Sequence, residues 1–309
     1  MVKRKLVIDT DPGIDDAMAI VFACLHDEID VVGLTTIFGN VSTETATRNA
    51  CALVELVGQD IAVARGSDTP LVQAPRPFAW EIHGREGFGD VQLQPPAQGS
   101  LVDETAAEFI CRKVHEEPGE IDICAVGPLT NLALALRLDP SISAVARSVV
   151  VMGGSLDAGG NASKAAEANI WQDPHAANAV FSAPWDVTIV GLDVTKQVVC
   201  TPEDFSMLAV KAPTLGGFLN RVVQYYFAAT RERSGISGCH MHDPTAVIAA
   251  IRRELFTIRN SAVEVIEAGE QAGATVRSAS TERPSVSVCC GVDNTAVQHL
   301  FLRTIETGF

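Results

Sequence analysis

Short apolar runs alternate with amphipathic segments along most of this chain. Runs rich in β-branched residues, which are typical of buried strands, cover residues 5–8, 29–38, 61–64, 121–126, 148–152 and 187–190. Apolar residues at helical spacing predict helices over residues 16–26, 42–57, 102–115, 129–138, 174–181, 202–233, 244–253 and 294–306. Ser42 is a suitable N-cap for the second helix. The alternation predicts an α/β fold, with an open, mostly parallel sheet and helices on both faces.

Two loops interrupt this pattern. Residues 65–100 are rich in Pro and Gly and have little periodicity, and a second polar loop follows Gly153 and Gly154. Long loops inside compact domains tend to be functional. No repeat, low-complexity segment or linker-like composition divides the chain. We therefore expect residues 1–309 to form a single domain in which these loops shape a site.

Composition and charge narrow the possible functions. A chain that is 47% hydrophobic can bury a large core, and a net charge of −15 argues against nucleic acid binding through a basic surface. The apolar run after the basic start is too short for a signal peptide, and no run is long enough to span a membrane. The eight cysteines lack paired metal-ligand spacing, which favours reduced thiols. These features predict a cytoplasmic protein that binds a small molecule or a metal, without nucleic acid or membrane partners.

An acidic cluster stands where the first strand gives way to the first helix. Asp9, Asp11, Asp15 and Asp16 fall within the run LVIDTDPGIDDA. Ligands of α/β proteins bind at such strand ends, and carboxylates this close must protonate or share a cation. Oxygen-only ligands suit Ca²⁺ or Mg²⁺ rather than Zn²⁺. The alternative is a helix cap and a turn, which explains one aspartate but not two pairs.

A second group of polar residues precedes the helix predicted at residue 244. His240, His242 and Asp243 follow one another closely there. Asp243 could cap that helix, or it could supply a carboxylate to a metal with His242 beside it as a proton donor. Either histidine alone could equally be a packed core residue.

Further polar residues occupy the loops. Asn40, Asn161, Glu167 and Asn169 could bind a ligand or only solvate their loops. His83 begins a glycine-rich stretch over residues 83–89 that could be either a mobile flap or a plain surface loop.

Taken together, these motifs resemble the inosine-uridine preferring nucleoside hydrolase family. The run DTDPGIDDA over residues 9–17 is similar to the family's N-terminal signature, and the resemblance covers nearly the whole chain. Further matching segments, in order, are residues 36–40, 82–84, 126–131, 151–154, 167–169, 191–195 and 242–244. The resemblance implies a Rossmann-like α/β fold, Ca²⁺-dependent hydrolysis of the N-ribosidic bond in nucleoside salvage, and a homo-oligomer, either tetramer or dimer.

The resemblance also implies roles for individual residues. Asp11, Asp16, Asp243 and the main-chain carbonyl of Val126 would hold Ca²⁺, and Asp11 would accept the proton of the attacking water. The ribose would be bound by Asp15, Asn40, Met152, Asn161, Glu167 and Asn169. His83 and His240 would face the base, and His242 would protonate it as it leaves. The two base-facing histidines resemble those of members that accept pyrimidine nucleosides, so we expect cleavage of uridine or cytidine, and of inosine.

Two other functions compete with this hypothesis. Asp9-x-Asp11 after a strand superficially resembles the motif of metal-dependent phosphohydrolases, with Asp9 as the nucleophile. A nucleoside- or ribose-binding protein that has lost its chemistry would keep the same pocket. Release of free ribose from uridine would distinguish a hydrolase from both.

Overall fold

The computed structural model describes residues 3–94 and 100–308, with a ten-stranded sheet at its centre. The strands are β1 (Arg4–Thr10), β2 (Ile29–Thr36), β3 (Val63–Arg65), β4 (Leu101–Thr105), β5 (Ile121–Ala125), β6 (Ser148–Met152), β7 (Val187–Val190), β8 (Val199–Cys200), β9 (Cys239–His240), β10 (Phe256–Val265), β11 (Thr275–Arg277) and β12 (Ser285–Val292).

Helices connect most of these strands. They are α1 (Ile14–Leu25), α2 (Thr43–Val57), α3 (Trp80–His83), α4 (Ala106–Glu116), α5 (Thr130–Leu138), α6 (Ile142–Val145), α7 (Ala168–Gln172), α8 (Pro174–Ser182), α9 (Leu192–Thr195), α10 (Pro202–Lys211), α11 (Leu215–Ser234), α12 (His242–Ile251) and α13 (Asn294–Thr307), with a 3₁₀ turn at Arg253–Leu255. No helix within the described ranges is both long and apolar enough to cross a membrane.

The strand order places one reversal point in the middle of the sheet. The order is β11-β10-β12-β7-β6-β5-β1-β2-β3-β4, and every pairing is parallel except those of β10 with β11 and β12. The short strands β8 and β9 pair separately and antiparallel. Because β1 lies between β2 and β5, the connections diverge at the carboxyl ends of β1 and β5. This is the topological switch point at which open α/β sheets bind ligands.

Side chains of the central strand β1 alternate between two apolar cores. Leu6 and Ile8 face a core that includes buried residues of α1, α11, α12 and α13, whereas Val7 faces a core that includes residues of α4, α5 and α8. The alternation is what a strand buried on both faces requires. The predicted α/β architecture is confirmed, while the organisation as a single domain stays a prediction.

Two predicted helices differ from the structure. The first residues of the helix predicted over residues 102–115 instead belong to edge strand β4, which ends at Thr105. Thr105 caps α4 by accepting a hydrogen bond from the Glu108 amide. The predicted helix over residues 202–233 is two helices, because Pro213 cannot donate a main-chain hydrogen bond between them. The predicted cap of α2 is confirmed, since the Thr45 amide donates to Ser42 Oγ at 3.2 Å.

The predicted loop over residues 65–100 carries the short helix α3, and its residues 95–99 lie outside the described residues. Its glycine-rich stretch is packed rather than free. His83 and Phe88 are buried, and Asn49 Nδ2 donates to the main-chain carbonyls of Pro12 and Glu86. These contacts fasten residues 83–89 beside the end of β1.

Candidate active site

The switch point collects side chains from distant parts of the sequence. Asp11 follows β1, Val126 follows β5, and Met152 ends β6. Asp243 belongs to the first turn of α12, and α12 packs against α1. This packing brings Asp243 to Asp15 and Asp16 at the start of α1.

Three carboxylates form the centre of the site. Asp15, Asp16 and Asp243 each offer an oxygen atom, these atoms lie within 4.8 Å of one another, and all three residues are buried. Their positions in the first turns of α1 and α12 are favourable for anions, because helix N-termini carry partial positive charge.

Asp16 has the largest number of donors in the cluster. Its carboxylate accepts hydrogen bonds from Thr10 Oγ1 at 2.5 Å, the Gly13 amide at 3.0 Å and Asn40 Nδ2 at 2.9 Å. Gly13 is the N-cap residue of α1, and its amide donates to Asp16 at position N3, as in a capping box. Asp16 therefore supports the start of α1 and also belongs to the cluster. Both functions weighed for this aspartate in the sequence therefore coexist in one carboxylate.

Asp11 is held from the loop after β2. The Asn40 amide donates to Asp11 Oδ2 at 2.6 Å. A Cβ atom at Gly39 would lie 2.1 Å from the same oxygen, so only glycine allows this close approach of the loop. Asp11 Oδ1 is buried and has no hydrogen-bond partner among the described residues.

The carboxylates of the cluster favour protonation in the absence of a cation. Burial raises the pKa of Asp11, Asp15, Asp16 and Asp243, and the neighbouring negative charges raise it further for Asp11, Asp15 and Asp243. Within the part of the chain that the structure describes, Asp15 Oδ1, like Asp11 Oδ1, is a buried oxygen that lacks a donor. Oxygen atoms without donors and mutually repelling carboxylates fit a bound hard cation, and the ligand set holds no thiolate or imidazole.

Asp9 is a further buried aspartate, and one of its two carboxylate oxygens is held by hydrogen bonds while the other has no partner among the described residues. Its Oδ1 accepts hydrogen bonds from Thr35 Oγ1 at 2.6 Å and Asn131 Nδ2 at 2.7 Å. The side chain is fully buried, and burial raises its pKa to about 7. Asp9 thus ties β1 to β2 and to α5, and it is closed to solvent.

The buried side-chain amide of Asn169 joins the carboxyl ends of β5 and β6. Asn169 Nδ2 donates to the carbonyl oxygen of Val126 at 2.8 Å and to that of Met152 at 3.0 Å. Glu167 caps α7: its carboxylate accepts from the amides of Asn169 at 2.9 Å and Gly154 at 3.0 Å. Val126, Met152, Glu167 and Asn169 therefore form one connected group beside the acidic cluster.

Asn161 contacts this group through the main chain at the start of α7. It is exposed, and its Oδ1 accepts a hydrogen bond from the Ala168 amide at 2.9 Å. The loop that carries it is fastened to α9, because the Asp193 carboxylate accepts from the amides of Leu156, Asp157 and Ala158 at 2.9, 2.7 and 3.0 Å. The structure thus places Asn161 at the start of α7 on an anchored loop.

Histidines border the acidic cluster on the other side. His83 is buried, its Nδ1 accepts from the Ile14 amide at 3.1 Å, and it lies 3.7 Å from Asp15 Oδ1. Burial lowers the pKa of His83 to about 3, so the ring is neutral at physiological pH. The rings of His240 and His242 are adjacent, with centroids 5.3 Å apart. Burial also lowers the pKa of both.

Several residues at the site were given no individual role from the sequence. Thr10 donates to Asp16, and Asn131 donates to Asp9. Asp193 anchors the loop that carries Asn161, and Thr195 contacts His242. Tyr226 is buried, and its ring centroid lies 5.9 Å from that of His83. In sequence, none of them stands out by residue type. Thr10 lies in the run DTDPGIDDA, Asn131 in VGPLTN, and Asp193 and Thr195 in GLDVT.

Comparison with known proteins agrees with this geometry. Residues 6–299 match the family model of inosine-uridine preferring nucleoside hydrolases. Uridine nucleosidase 1 of Arabidopsis thaliana is 42% identical over 88% of this chain and 81% of its own length. Among solved structures, a plant nucleoside hydrolase superposes with a TM-score of 0.95 at 37% identity, covering 98% of this chain and 99% of that one.

A purine-preferring ribonucleoside hydrolase from Gardnerella vaginalis superposes almost as well, with a TM-score of 0.93 at 31% identity over 98% of both chains. The family match spans nearly the whole chain, and the matched residues include the acidic cluster at the switch point of the sheet. The chain therefore belongs to the inosine-uridine preferring nucleoside hydrolase family.

Proposed function

We propose that this protein is a Ca²⁺-dependent ribonucleoside hydrolase that releases ribose and free base from uridine or cytidine, and from inosine. The observation that carries the proposal is the buried cluster of Asp15, Asp16 and Asp243 with its unpartnered neighbour Asp11 Oδ1. The name of the Arabidopsis relative, a uridine nucleosidase, supports the pyrimidine substrate.

The ligands proposed for the cation are Asp11, Asp16, Asp243 and the carbonyl oxygen of Val126. When bound, Ca²⁺ would neutralise these carboxylates and lower the pKa of the water that attacks the sugar. Asp11 is proposed to accept the proton of that water. Attack opposite the base would invert the configuration at the anomeric carbon.

The sugar would be held by the anionic and amide groups around the cation site. Asp15 and Asn169 are proposed to bind the 2′- and 3′-hydroxyls, with Asn40 beside them, while Met152, Asn161 and Glu167 would contact the 5′ side. Cleavage of an N-ribosidic bond passes through an oxocarbenium-like state, so buried negative charge around the ribose favours it.

The base would lie among the three histidines. A neutral imidazole donates a hydrogen bond through one ring nitrogen, and burial keeps His83 and His242 neutral by lowering their pKa. His83 and His240 are proposed to contact the base, with His242 activating it as the leaving group. For a neutral ring, that activation begins as a hydrogen bond to the departing base.

A panel of nucleosides tests the proposed reaction. The purified protein should release reducing sugar from uridine, cytidine and inosine, with stoichiometric free base, in Ca²⁺-containing buffer. Phosphate release from a phosphomonoester would instead support the phosphohydrolase, although the buried, hydrogen-bonded Asp9 is poorly placed to be its nucleophile. Binding of uridine without any ribose release would support the inactive binding protein.

Replacing His240 by alanine should lower kcat/KM for uridine more than for inosine. Purines can leave after protonation at N7, whereas pyrimidines lack an equivalent ring nitrogen and depend more on hydrogen bonds from the protein. Removing such a donor typically costs roughly 10²-fold or more in rate. His299→Ala on the exposed face of α13 is the matched control. Equal losses on uridine and inosine would remove His240 from base selection.

The family resemblance also implies a homo-oligomer, which we propose as a tetramer or dimer. Light scattering of the purified protein gives its mass in solution directly. A monomer at micromolar concentration would contradict this part of the proposal.

A further inference from the structure

Among the described residues, His242 has one side-chain hydrogen-bond partner, and that partner has no role in the proposed reaction. Its Nδ1 lies 2.8 Å from Thr195 Oγ1. Thr195 is fully buried at the end of α9, and its amide donates to the Gly191 carbonyl at 3.1 Å. The two residues come from separate connections, and the contact joins the last turn of α9 to the first turn of α12.

The surroundings of the Thr195 hydroxyl decide which atom donates. Within the described ranges it has no other hydrogen-bond partner, so its proton would lack an acceptor if His242 Nδ1 were the donor. A buried donor left without an acceptor is unfavourable, and donation from the hydroxyl to Nδ1 avoids this. The neutral imidazole then carries its proton on Nε2, on the opposite side of the ring.

The threonine is well suited to hold that arrangement. Its β-branched side chain has few accessible rotamers, and its main chain is fixed in α9. His242 Nε2 makes no hydrogen bond to another described residue, and His242 is only half-buried. The nitrogen that carries the proton is therefore the one left free for a ligand.

We propose that Thr195 is a positioning residue, which holds His242 in the Nε2-protonated form with that N–H directed at the leaving base. This inference rests on the proposed function, in which His242 faces the base. As the glycosidic C–N bond breaks, its electron pair stays on the base, and the Nε2–H hydrogen bond stabilises the growing negative charge. Water forms the new C–O bond and gives up its proton to Asp11.

Two substrates with different leaving groups distinguish a positioning role of Thr195 from a purely structural one. Uridine has a poor leaving group that needs a donor, whereas 4-nitrophenyl β-D-ribofuranoside releases nitrophenolate without one. Thr195→Val has nearly the same shape but no hydroxyl, and Thr195→Ser restores the hydroxyl. Thr195→Val should lose roughly 10²-fold in kcat on uridine while changing less than about 3-fold on the nitrophenyl riboside. Thr195→Ser should recover most of the uridine activity.

A spectroscopic readout accompanies the kinetics. In ¹⁵N–¹H correlation spectra of the histidine rings, His242 should be protonated on Nε2 in the parent protein and occupy both tautomers in Thr195→Val. Equal losses on the two substrates, unchanged uridine turnover in Thr195→Val, or Nδ1 protonation in the parent would each overturn the proposal. Failure of the proposed function has a different signature, because the parent protein would then release no ribose from any nucleoside.

Discussion

Replacing Asp11 by alanine is expected to abolish ribose release rather than merely weaken substrate binding. Asp11 is proposed both to hold the cation and to accept the proton of the attacking water, and the variant loses both functions. The loss of a proton acceptor alone typically costs roughly 10²–10⁴-fold in rate. The measurement is kcat on uridine at saturating substrate, with Ca²⁺ content determined on the same sample.

Two companion variants make this result interpretable. Asp11→Asn keeps the shape of the side chain and its bond from the Asn40 amide, but removes the negative charge. Asp27→Ala removes an exposed aspartate just beyond the far end of α1 and should behave as the parent protein. Asp11→Ala also removes the acceptor of the Asn40 amide, so the melting temperatures of both Asp11 variants and the parent protein should be compared to show that the variants are folded. Near-normal ribose release by Asp11→Ala would refute its assignment.

Removal of the cation is expected to have an effect of similar size. Prolonged chelation followed by desalting should leave almost no activity, and added Ca²⁺ should restore it. The cation should also raise the melting temperature, since a ligand at 100 times its Kd stabilises the native state by about 2.7 kcal/mol. Elemental analysis that finds no Ca²⁺ in fully active protein would contradict the proposal.

The pH dependence of cation binding has a definite sign. Burial and mutual repulsion raise the pKa of the Asp11, Asp15 and Asp243 carboxyls, so the metal-free site binds protons that the cation must displace. Affinity for Ca²⁺ should therefore increase as pH rises. Titrations at several pH values, each followed by the change in melting temperature, measure this directly.

Local patterns explain which features the sequence could predict. Strand and helix periodicity was sufficient for the α/β sheet, and the acidic run at residues 9–16 is visible because its members are neighbours in the chain. Edge strand β4 was missed because it is short and runs directly into α4, whose cap Thr105 is also its last residue. An apolar pattern shared by a strand and the following helix cannot locate the boundary.

The remaining features depend on contacts between distant segments. From spacing alone Asp243 could have been a helix cap or a metal ligand. The family resemblance grouped it with Asp11 and Asp16, and packing of α12 on α1 brings it to Asp15 and Asp16. The roles of Thr195 and Asp193 follow only from the position of α9 in the fold, where Thr195 contacts His242 and Asp193 binds the loop that carries Asn161. Hydrophobic periodicity cannot predict such contacts between distant segments, because each contact depends on how the strands of the whole sheet are aligned.

The packing of α12 on α1 has a consequence for how the protein matures. Chains emerge from the ribosome N-terminus first, so α1 is complete long before α12 has been synthesised. Until α12 docks, Asp15 and Asp16 remain in water, where carboxylates ionise normally and bind cations weakly. We therefore expect high-affinity metal capture to be a late event, because it waits for a helix that begins only at His242.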